Sequence, residues 1–166
     1  MTVLVIIVVL AVLVIGLFDQ LQARSERVNC TANLRSLFAG FQAYIVQQGH
    51  WPQNPYKIAQ KDYDGWWIDE LSKIGVPEKS WYCPTHTREA KAAAKAEGKA
   101  NTEMILKKHR EIHYMPTPFD ENQATPRRWP TQPWLVETGN FHGDGPLIIF
   151  PDGTVSSFGQ FIRQGH

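Results

Sequence analysis

The sequence has few cysteines and no proline in its first 51 residues, and both absences limit what the protein can be. Two cysteines, Cys30 and Cys83, are too few for a disulfide-stapled scaffold, although they allow one bridge. Because no proline precedes Pro52, nothing in the backbone chemistry interrupts a long N-terminal helix. The net charge is +1 with both signs interspersed, so we expect no nucleic-acid partner.

Sequence motifs for catalysis are also missing. The chain contains no GxSxG nucleophile elbow, no HExxH zinc motif, no phosphate-binding loop of the Walker type and no GxGxxG. No trio of serine, histidine and aspartate stands out from the rest of the sequence. We therefore predict that the protein is not an enzyme and that it carries no cofactor.

The chain opens on an apolar run. Thr2–Phe18 contains 17 residues without a charge, an amide, a histidine or a proline, and Asp19 is the first charged residue. As a helix the run would measure about 26 Å, slightly less than the ~30 Å hydrocarbon core of a bilayer. We predict that residues 1–18 form a transmembrane or filament-core half-helix. The predicted membrane and assembly contacts are Val3, Ile7, Leu10, Leu13 and Leu17.

An amphipathic pattern follows the apolar run. Apolar residues recur at i, i+3, i+4, i+7 and i+11 and form one helical stripe: Leu34, Leu37, Phe38, Phe41 and Ile45. We predict a single continuous helix from Thr2 to Gln48, whose amphipathic half, residues 19–48, packs its stripe against a folded head. Gly49 and Pro52 are typical of a helix end.

Residues 49–166 are predicted to form a globular α+β head. A short helix is expected from Asp64 to Gly75. Residues 86–113 are rich in alanine, lysine and glutamate, which predicts a solvated insertion of two helices. Strands are expected at 134–138, 147–150 and 154–158, and the last two flank a Pro-Asp-Gly turn. We expect three to four antiparallel strands packed on the apolar stripe.

Several motifs together resemble those of a known family. The segment Cys-Thr-Ala-Asn-Leu-Arg at 30–35 lies on the predicted long helix, and Cys83-Pro84 lies in the middle of the chain. Near the C-terminus, Phe-His-Gly-Asp-Gly at 141–145 precedes an apolar strand and then Asp-Gly-Thr-Val at 152–155. The combination resembles the type IV pilin-like proteins, in particular the type II secretion pseudopilins that carry a C-x-x-N-L-R segment. The likeness covers residues 1–56, 81–84 and 141–158.

This resemblance implies a fold, a function and a set of partners. The fold would be pilin-like, with a long N-terminal helix packed on a small antiparallel sheet. The function would be that of a prepilin-type structural subunit, processed and methylated, and stored as a single-pass protein in the bacterial inner membrane with its head in the periplasm. Subunits would then assemble into a type II secretion or type IV pilus-like filament. Expected partners are other pilin-like subunits, the inner membrane and the assembly platform.

An alternative function and two departures from the family accompany this resemblance. The alternative is a singly membrane-anchored periplasmic binding module or enzyme that uses the tryptophans or the His142 region. The chain lacks the basic leader and the early glutamate of a prepilin, and aligning Cys30 with the family cysteine places Met1 inside the mature helix. We therefore expect the leader and the first mature residue to lie upstream. In the tail, Thr154 stands where the family often has histidine.

Cys30 and Cys83 are the candidate disulfide. In an oxidising compartment a bridge would join the long helix to the loop at Cys83. Closing that loop of some fifty residues would be worth about 4 kcal/mol in the chain-entropy model. The alternative is a pair of free, buried thiols, and the spacing of the cysteines does not indicate a redox CxxC or a zinc motif.

Two groups of residues have side chains of the kinds that bind metals. His142, Asp144 and Asp152 could gather near the C-terminal hairpin, but no calcium loop is present and turn chemistry explains both aspartates. His109 and His113 are spaced i, i+4 on the predicted insertion, where a solvated helix end is expected. We predict no metal site.

Overall fold

Helix α1, Thr2–Gln48, dominates the architecture and is continuous over 47 residues. It belongs to a computed structural model that describes residues 2–55, 58–96 and 110–165, with the side chains of residues 2–17, 19, 60 and 61 outside that description. The bounds of α1 confirm the single long helix predicted from the sequence. Its end is also as predicted, since Gly49 has φ +78° and donates its N–H to the Ile45 carbonyl at 2.9 Å.

The remaining elements form an α+β head against the C-terminal half of α1. In chain order they are α2 (Gln60–Ser72), a 3-10 helix (Glu78–Trp81), α3 (Pro84–Ala96), β1 (Tyr114–Pro116), α4 (Thr125–Arg128), β2 (Leu135–Glu137), β3 (Leu147–Ile149), β4 (Val155–Ser157) and α5 (Phe158–Arg163). Helix α2 begins at Gln60 and not at Asp64, because the Asp64 carboxylate accepts from the Ile112 N–H at 3.2 Å and does not cap the helix. Residues 97–109 of the predicted 86–113 insertion lie outside the described residues.

The four strands form one antiparallel sheet in the order β1-β2-β3-β4. The predicted C-terminal hairpin is present, with Leu147 opposite Ser157 and Ile149 opposite Val155. Its turn needs a glycine, because Gly153 has φ +81° and a Cβ there would lie 3.2 Å from the Phe38 ring. The fourth strand, β1, was not assigned from the sequence.

The apolar stripe of α1 forms the centre of the core. Leu34, Leu37, Phe41 and Ile45 are fully buried as predicted, and α1 packs against β3, β4, α2 and α3. Phe38, also on the predicted stripe, is half-buried and its ring lies 4.9 Å from that of Trp134.

An aromatic cluster surrounds the middle of the stripe. The Phe41 ring stacks on Trp51 at 4.4 Å with an interplanar angle of 11°, and Trp51 meets Trp134 edge-on at 5.1 Å. Gly40, next to Phe41 on α1, lets Val76 approach the helix closely, because a Cβ at that position would lie 2.2 Å from Val76 Cγ2. These contacts set the position of α1 relative to the whole head.

The head ends on α1 near Glu26. Phe18 and residues 20–25 are exposed, and Glu26 is the first described side chain of the helix that is buried. Since α1 is continuous back to Thr2, it extends about 36 Å beyond that point. The predicted assembly residues Val3, Ile7, Leu10, Leu13 and Leu17 lie among the positions whose side chains are outside the description, and their role stays a prediction.

The predicted membrane span is not found. In the part of the chain that the structure describes, no helix is both long enough and apolar enough to cross a membrane. Helix α1 is long, but Arg24, Glu26 and Arg27 follow Phe18 closely and make the continuation polar. The transmembrane first half and the single-pass location in the bacterial inner membrane, with a periplasmic head, are therefore wrong as predictions.

Replacing Phe41 by aspartate should unfold the head. The substitution removes a fully buried ring and places an unpaired carboxylate between Trp51 and Trp81, which should cost at least about 4 kcal/mol. Val46→Asp is the matched control on the same helix, since Val46 is 75% exposed. The control should change stability by no more than about 1 kcal/mol. Thermal melting followed by circular dichroism compares the two variants, and similar melting curves would contradict the assignment of the core face.

Candidate functional site

A buried polar cluster lies where α1, the start of α3 and the sheet meet. It consists of Cys30, Cys83, Glu137 and His142, whose ligand atoms all lie within 4.8 Å of one another. Within the ranges 2–55, 58–96 and 110–165 it is the one group of three or more such residues that could hold a metal ion. Two of its members, Cys30 and Cys83, are the pair that the sequence predicts to lie together.

Cys30 reaches the cluster because of the period of α1. It lies four residues before Leu34 and seven before Leu37, so it falls on the buried face of the helix. Its side chain is fully buried. The same helix that forms the core of the head therefore also supplies the first sulfur.

Cys83 is held in place from both sides of its backbone. Its carbonyl accepts from the Thr87 N–H and from Thr87 Oγ1, both at 3.0 Å, as α3 begins. Its N–H donates to Nδ1 of His113 at 2.9 Å. Burial, with a smaller contribution from His86, lowers the pKa of His113 to about 4. His113 is thus neutral at pH 7, with its proton on Nε2, which lies 2.7 Å from Nδ1 of His86.

The two sulfurs are in direct contact. Cys30 Sγ and Cys83 Sγ lie 2.6 Å apart, and both residues are free cysteines in this structure. The contact between the two thiols lowers the pKa of Cys30 and raises the pKa of Cys83. The fold has therefore brought together the pair predicted from the sequence, while the disulfide itself stays a prediction.

Glu137 adds a carboxylate that the sequence reading missed. It ends β2, and its Oε2 accepts from the Leu147 N–H at 3.1 Å. The side chain has no exposed surface, and its other oxygen, Oε1, has no hydrogen-bond partner. The alternation of side chains along a strand could have predicted its burial, because Glu137 lies on the same face of β2 as the buried Leu135. A carboxylate on the inner face of a strand is rare, because a buried charge is costly unless it is paired or binds a metal.

His142 completes the cluster from the loop between β2 and β3. Its Nε2 lies 3.4 Å from Glu137 Oε1 and 3.8 Å from Cys83 Sγ. The Asn140 side chain shapes the loop by accepting from the N–H groups of Gly143 and Gly145. The contact with the Cys83 sulfur and the ion pair with Glu137 raise the pKa of His142 to about 9, against the effect of burial. The metal-free cluster therefore contains an imidazolium beside a carboxylate.

Tyr114 closes the cluster on its inner side. It is the first residue of β1 and lies opposite Glu137 in the sheet. Burial raises the pKa of Tyr114, so the phenol stays protonated. Its hydroxyl is buried and has no hydrogen-bond partner by geometry.

The other metal-ligand candidates from the sequence have different roles. Asp152 accepts from the Thr154 N–H at 2.8 Å, which is the turn chemistry that was expected. Asp144 accepts from Ser157 Oγ at 2.6 Å and pairs with Arg163 of α5, so it holds the C-terminal helix. His109 lies outside the described residues, and His113, predicted at a solvated helix end, is buried against Cys83.

A second buried polar contact lies one turn of α1 before Cys30. The Glu26 carboxylate accepts from Thr85 Oγ1 at 3.0 Å and from two nitrogens of Arg88 at 2.8 and 3.0 Å. Burial opposes the charged carboxylate, but hydrogen bonds from Arg88, Gln22 and Thr85 outweigh it and lower the pKa of Glu26. This contact ties the start of α3 to α1 beside the cysteines.

Two thiols, an imidazole and a carboxylate have two kinds of chemistry available. The thiols can be oxidised to a disulfide, which needs the sulfurs to approach to about 2.05 Å. Alternatively, two thiolates with nitrogen and oxygen ligands form a set that suits a tetrahedral metal such as Zn²⁺. Either product joins α1 covalently or through a metal to the rest of the head.

Mild oxidation of the chain should link Cys30 to Cys83. The sulfurs are already in contact and both side chains are buried, so no thiol of another molecule competes. Peptide mass spectrometry after alkylation without reductant should find the linked pair, and the link should raise the unfolding free energy by about 4 kcal/mol. Cys83→Ser is the control that should show no link. Two alkylated cysteines in fully oxidised, folded protein would contradict the geometry.

Comparisons with known proteins give no family for this chain. No protein-family model matches it, and no curated protein or solved structure matches it at a significant level. The function therefore has to be argued from the residues and contacts of the chain itself.

Proposed function

We propose that the protein is a structural, pilin-like subunit, of the kind found in bacterial type II secretion or type IV pilus-like filaments. In this proposal α1 packs against α1 of neighbouring copies, and the head covers the outside of the assembly. The observation that carries the proposal is that one part of α1 packs inside the head while another part extends beyond it. The face containing Leu34 and Phe41 is buried in its own head, whereas the helix continues about 36 Å beyond the head.

The outward face of α1 supports packing between helices. Four of its apolar side chains are strongly exposed: Phe18 (69%), Leu21 (62%), Val28 (66%) and Val46 (75%). Most of them belong to one seam on the side opposite the buried stripe, which consists of Leu21, Val28, Ala32, Ala39 and Val46. The spacings of 7, 4, 7 and 7 residues approximate the 3.5-residue period of helices that pack along their length. Ala32 and Ala39 would let a neighbouring helix approach closely.

The apolar composition of the N-terminal run supports the same proposal. By sequence, Thr2–Phe18 has no charged or amide side chain, and so long an apolar run favours an apolar neighbour over water. Every copy carries the same run and the same outward seam. The same contact can therefore repeat from one copy to the next. If the rotation between neighbouring copies does not close into a ring, the result is a helical filament. The outward face of each α1 would then contact another copy of this chain.

The binding-module alternative has less support. Trp67, a member of the Trp pair that could have stacked on a sugar, is 2% exposed, and Trp66 packs against it with ring centroids 4.8 Å apart. Trp51, Trp81 and Trp134 are fully buried. These tryptophans pack the core and do not present a flat surface to a ligand.

Val28→Asp should weaken self-association without unfolding the head. Val28 is exposed in the monomer, so its replacement costs the fold little, but an aspartate in a helix–helix seam would be buried without a partner. We expect the association constant, measured by analytical ultracentrifugation, to fall at least tenfold, which corresponds to about 1.4 kcal/mol. Electron microscopy of the same samples should show that ordered assemblies are lost.

The matched control for this substitution is Asn29→Asp. Asn29 is also exposed, but it lies about 100° around the helix from Val28 and outside the seam. It should leave both association and thermal stability unchanged. Equal association of the wild-type and Val28→Asp chains would overturn the proposal that this face of α1 is the contact between copies.

A further inference from the structure

The buried cluster contains a carboxylate oxygen that has an ion pair with His142 at 3.4 Å but no hydrogen bond. Glu137 Oε1 has no hydrogen-bond partner although its side chain has no exposed surface, and it points at His142 and the two sulfurs. Buried polar atoms in proteins are nearly always hydrogen-bonded or bound to a metal, since a buried polar atom without such a partner is costly. The hydroxyl of the neighbouring Tyr114 is also buried and has no hydrogen-bond partner. An atom placed between these groups would satisfy the carboxylate.

Two distances within the cluster match the edges of a tetrahedral metal site. With metal–sulfur bonds of about 2.3 Å and metal–nitrogen or metal–oxygen bonds of about 2.0–2.1 Å, ligand atoms lie roughly 3.4–3.8 Å apart. Glu137 Oε1 and His142 Nε2 are separated by 3.4 Å, and His142 Nε2 and Cys83 Sγ by 3.8 Å. The sulfur–sulfur edge, at 2.6 Å, would have to lengthen, and the remaining three edges lie within 4.8 Å.

We propose that, with both thiols reduced, the cluster is a structural Zn²⁺ site. Its ligands are the sulfurs of Cys30 and Cys83, Nε2 of His142 and Oε1 of Glu137. Two thiolates and an imidazole favour Zn²⁺ over Ca²⁺ or Mg²⁺, which prefer oxygen ligands. Four protein ligands leave no open position, so the metal joins parts of the fold and does not activate a substrate.

The groups around the ligands already hold them in position. Glu137 Oε2 accepts from the Leu147 N–H, so Oε1 is the oxygen left to face the cluster. The Cys83 backbone is fixed by His113 and by the start of α3. Such second contacts orient metal ligands in known sites and are part of their affinity.

Metal binding changes the protonation of the cluster. The two thiols and the His142 imidazolium each release a proton to the solvent when their sulfur or nitrogen binds the ion. The product contains Zn²⁺, two thiolates, one carboxylate and one neutral imidazole, and its net charge is therefore −1. Oxidation of Cys30 and Cys83 to a disulfide removes both sulfur ligands, so the oxidised chain cannot form this site.

The experiment uses the full chain, kept reduced with a phosphine, and titrates it with Co²⁺ as a spectroscopic substitute for Zn²⁺. One Co²⁺ per chain should bind and produce sulfur-to-cobalt charge-transfer absorption together with the visible bands of a tetrahedral ion. Added Zn²⁺ should abolish both, and Mg²⁺ should not. Zn²⁺ should also slow alkylation of Cys30 and Cys83 in the wild-type chain.

Variants separate ligation from folding. Glu137→Gln keeps the size and the hydrogen bond to Leu147, and it should weaken Co²⁺ binding at least tenfold while the chain stays folded. His142→Gln should do the same, and His50→Gln, a histidine outside the cluster, should have no effect. The proposal is overturned if the reduced chain, folded by circular dichroism and with two titratable thiols, binds no Co²⁺. It is also overturned if Glu137→Gln and His142→Gln both bind as the wild type does. Neither result bears on the self-association of α1.

Discussion

Burial of one face of α1 is the interaction on which the rest of the structure depends. Leu34, Leu37, Phe41 and Ile45 lose all contact with water, and each such burial contributes about 1.5–3 kcal/mol. The sheet packs on this face through β3 and β4, and α2 and α3 flank it. The head is therefore built around the C-terminal half of a helix whose other half lies beyond it.

Polar contacts at the edge of the core make the attachment specific. Glu26 with Arg88 and Thr85, and one turn later Cys30 with Cys83, both join α1 to the segment that begins α3. Apolar packing alone would tolerate small shifts of the helix along its axis, but buried polar groups need particular partners. A disulfide or a metal at the cysteines would strengthen this fixed register between the helix and the head.

How much could be predicted from the sequence depended on the range of the interactions. The bounds of α1, its buried stripe and the hairpin at Asp152 follow from local rules of periodicity and turn chemistry. The membrane span was wrong because the prediction rested on the first 18 residues, while Arg24 and Glu26 make the helix polar soon after them.

The polar cluster could be predicted only in part. The pairing of Cys30 with Cys83 was expected, but Glu137 and His142 reach it through strand register and a loop, which sequence spacing does not reveal. Strand β1 was missed because three residues between a histidine and a proline-rich loop give no alternating pattern. The start of α2 was misplaced because Asp64 bonds to Ile112, 48 residues away, and not to its own helix.

The central claim is that the head folds on α1 from about Glu26 onward and that the preceding part of the helix serves assembly. The most direct test is a chain that begins at Arg24 and so lacks the apolar run and Leu21, compared with the full chain. Thermal unfolding and analytical ultracentrifugation should show that the shortened chain is cooperatively folded and associates less than the full chain. A shortened chain that is unfolded while the full chain is folded would contradict the account.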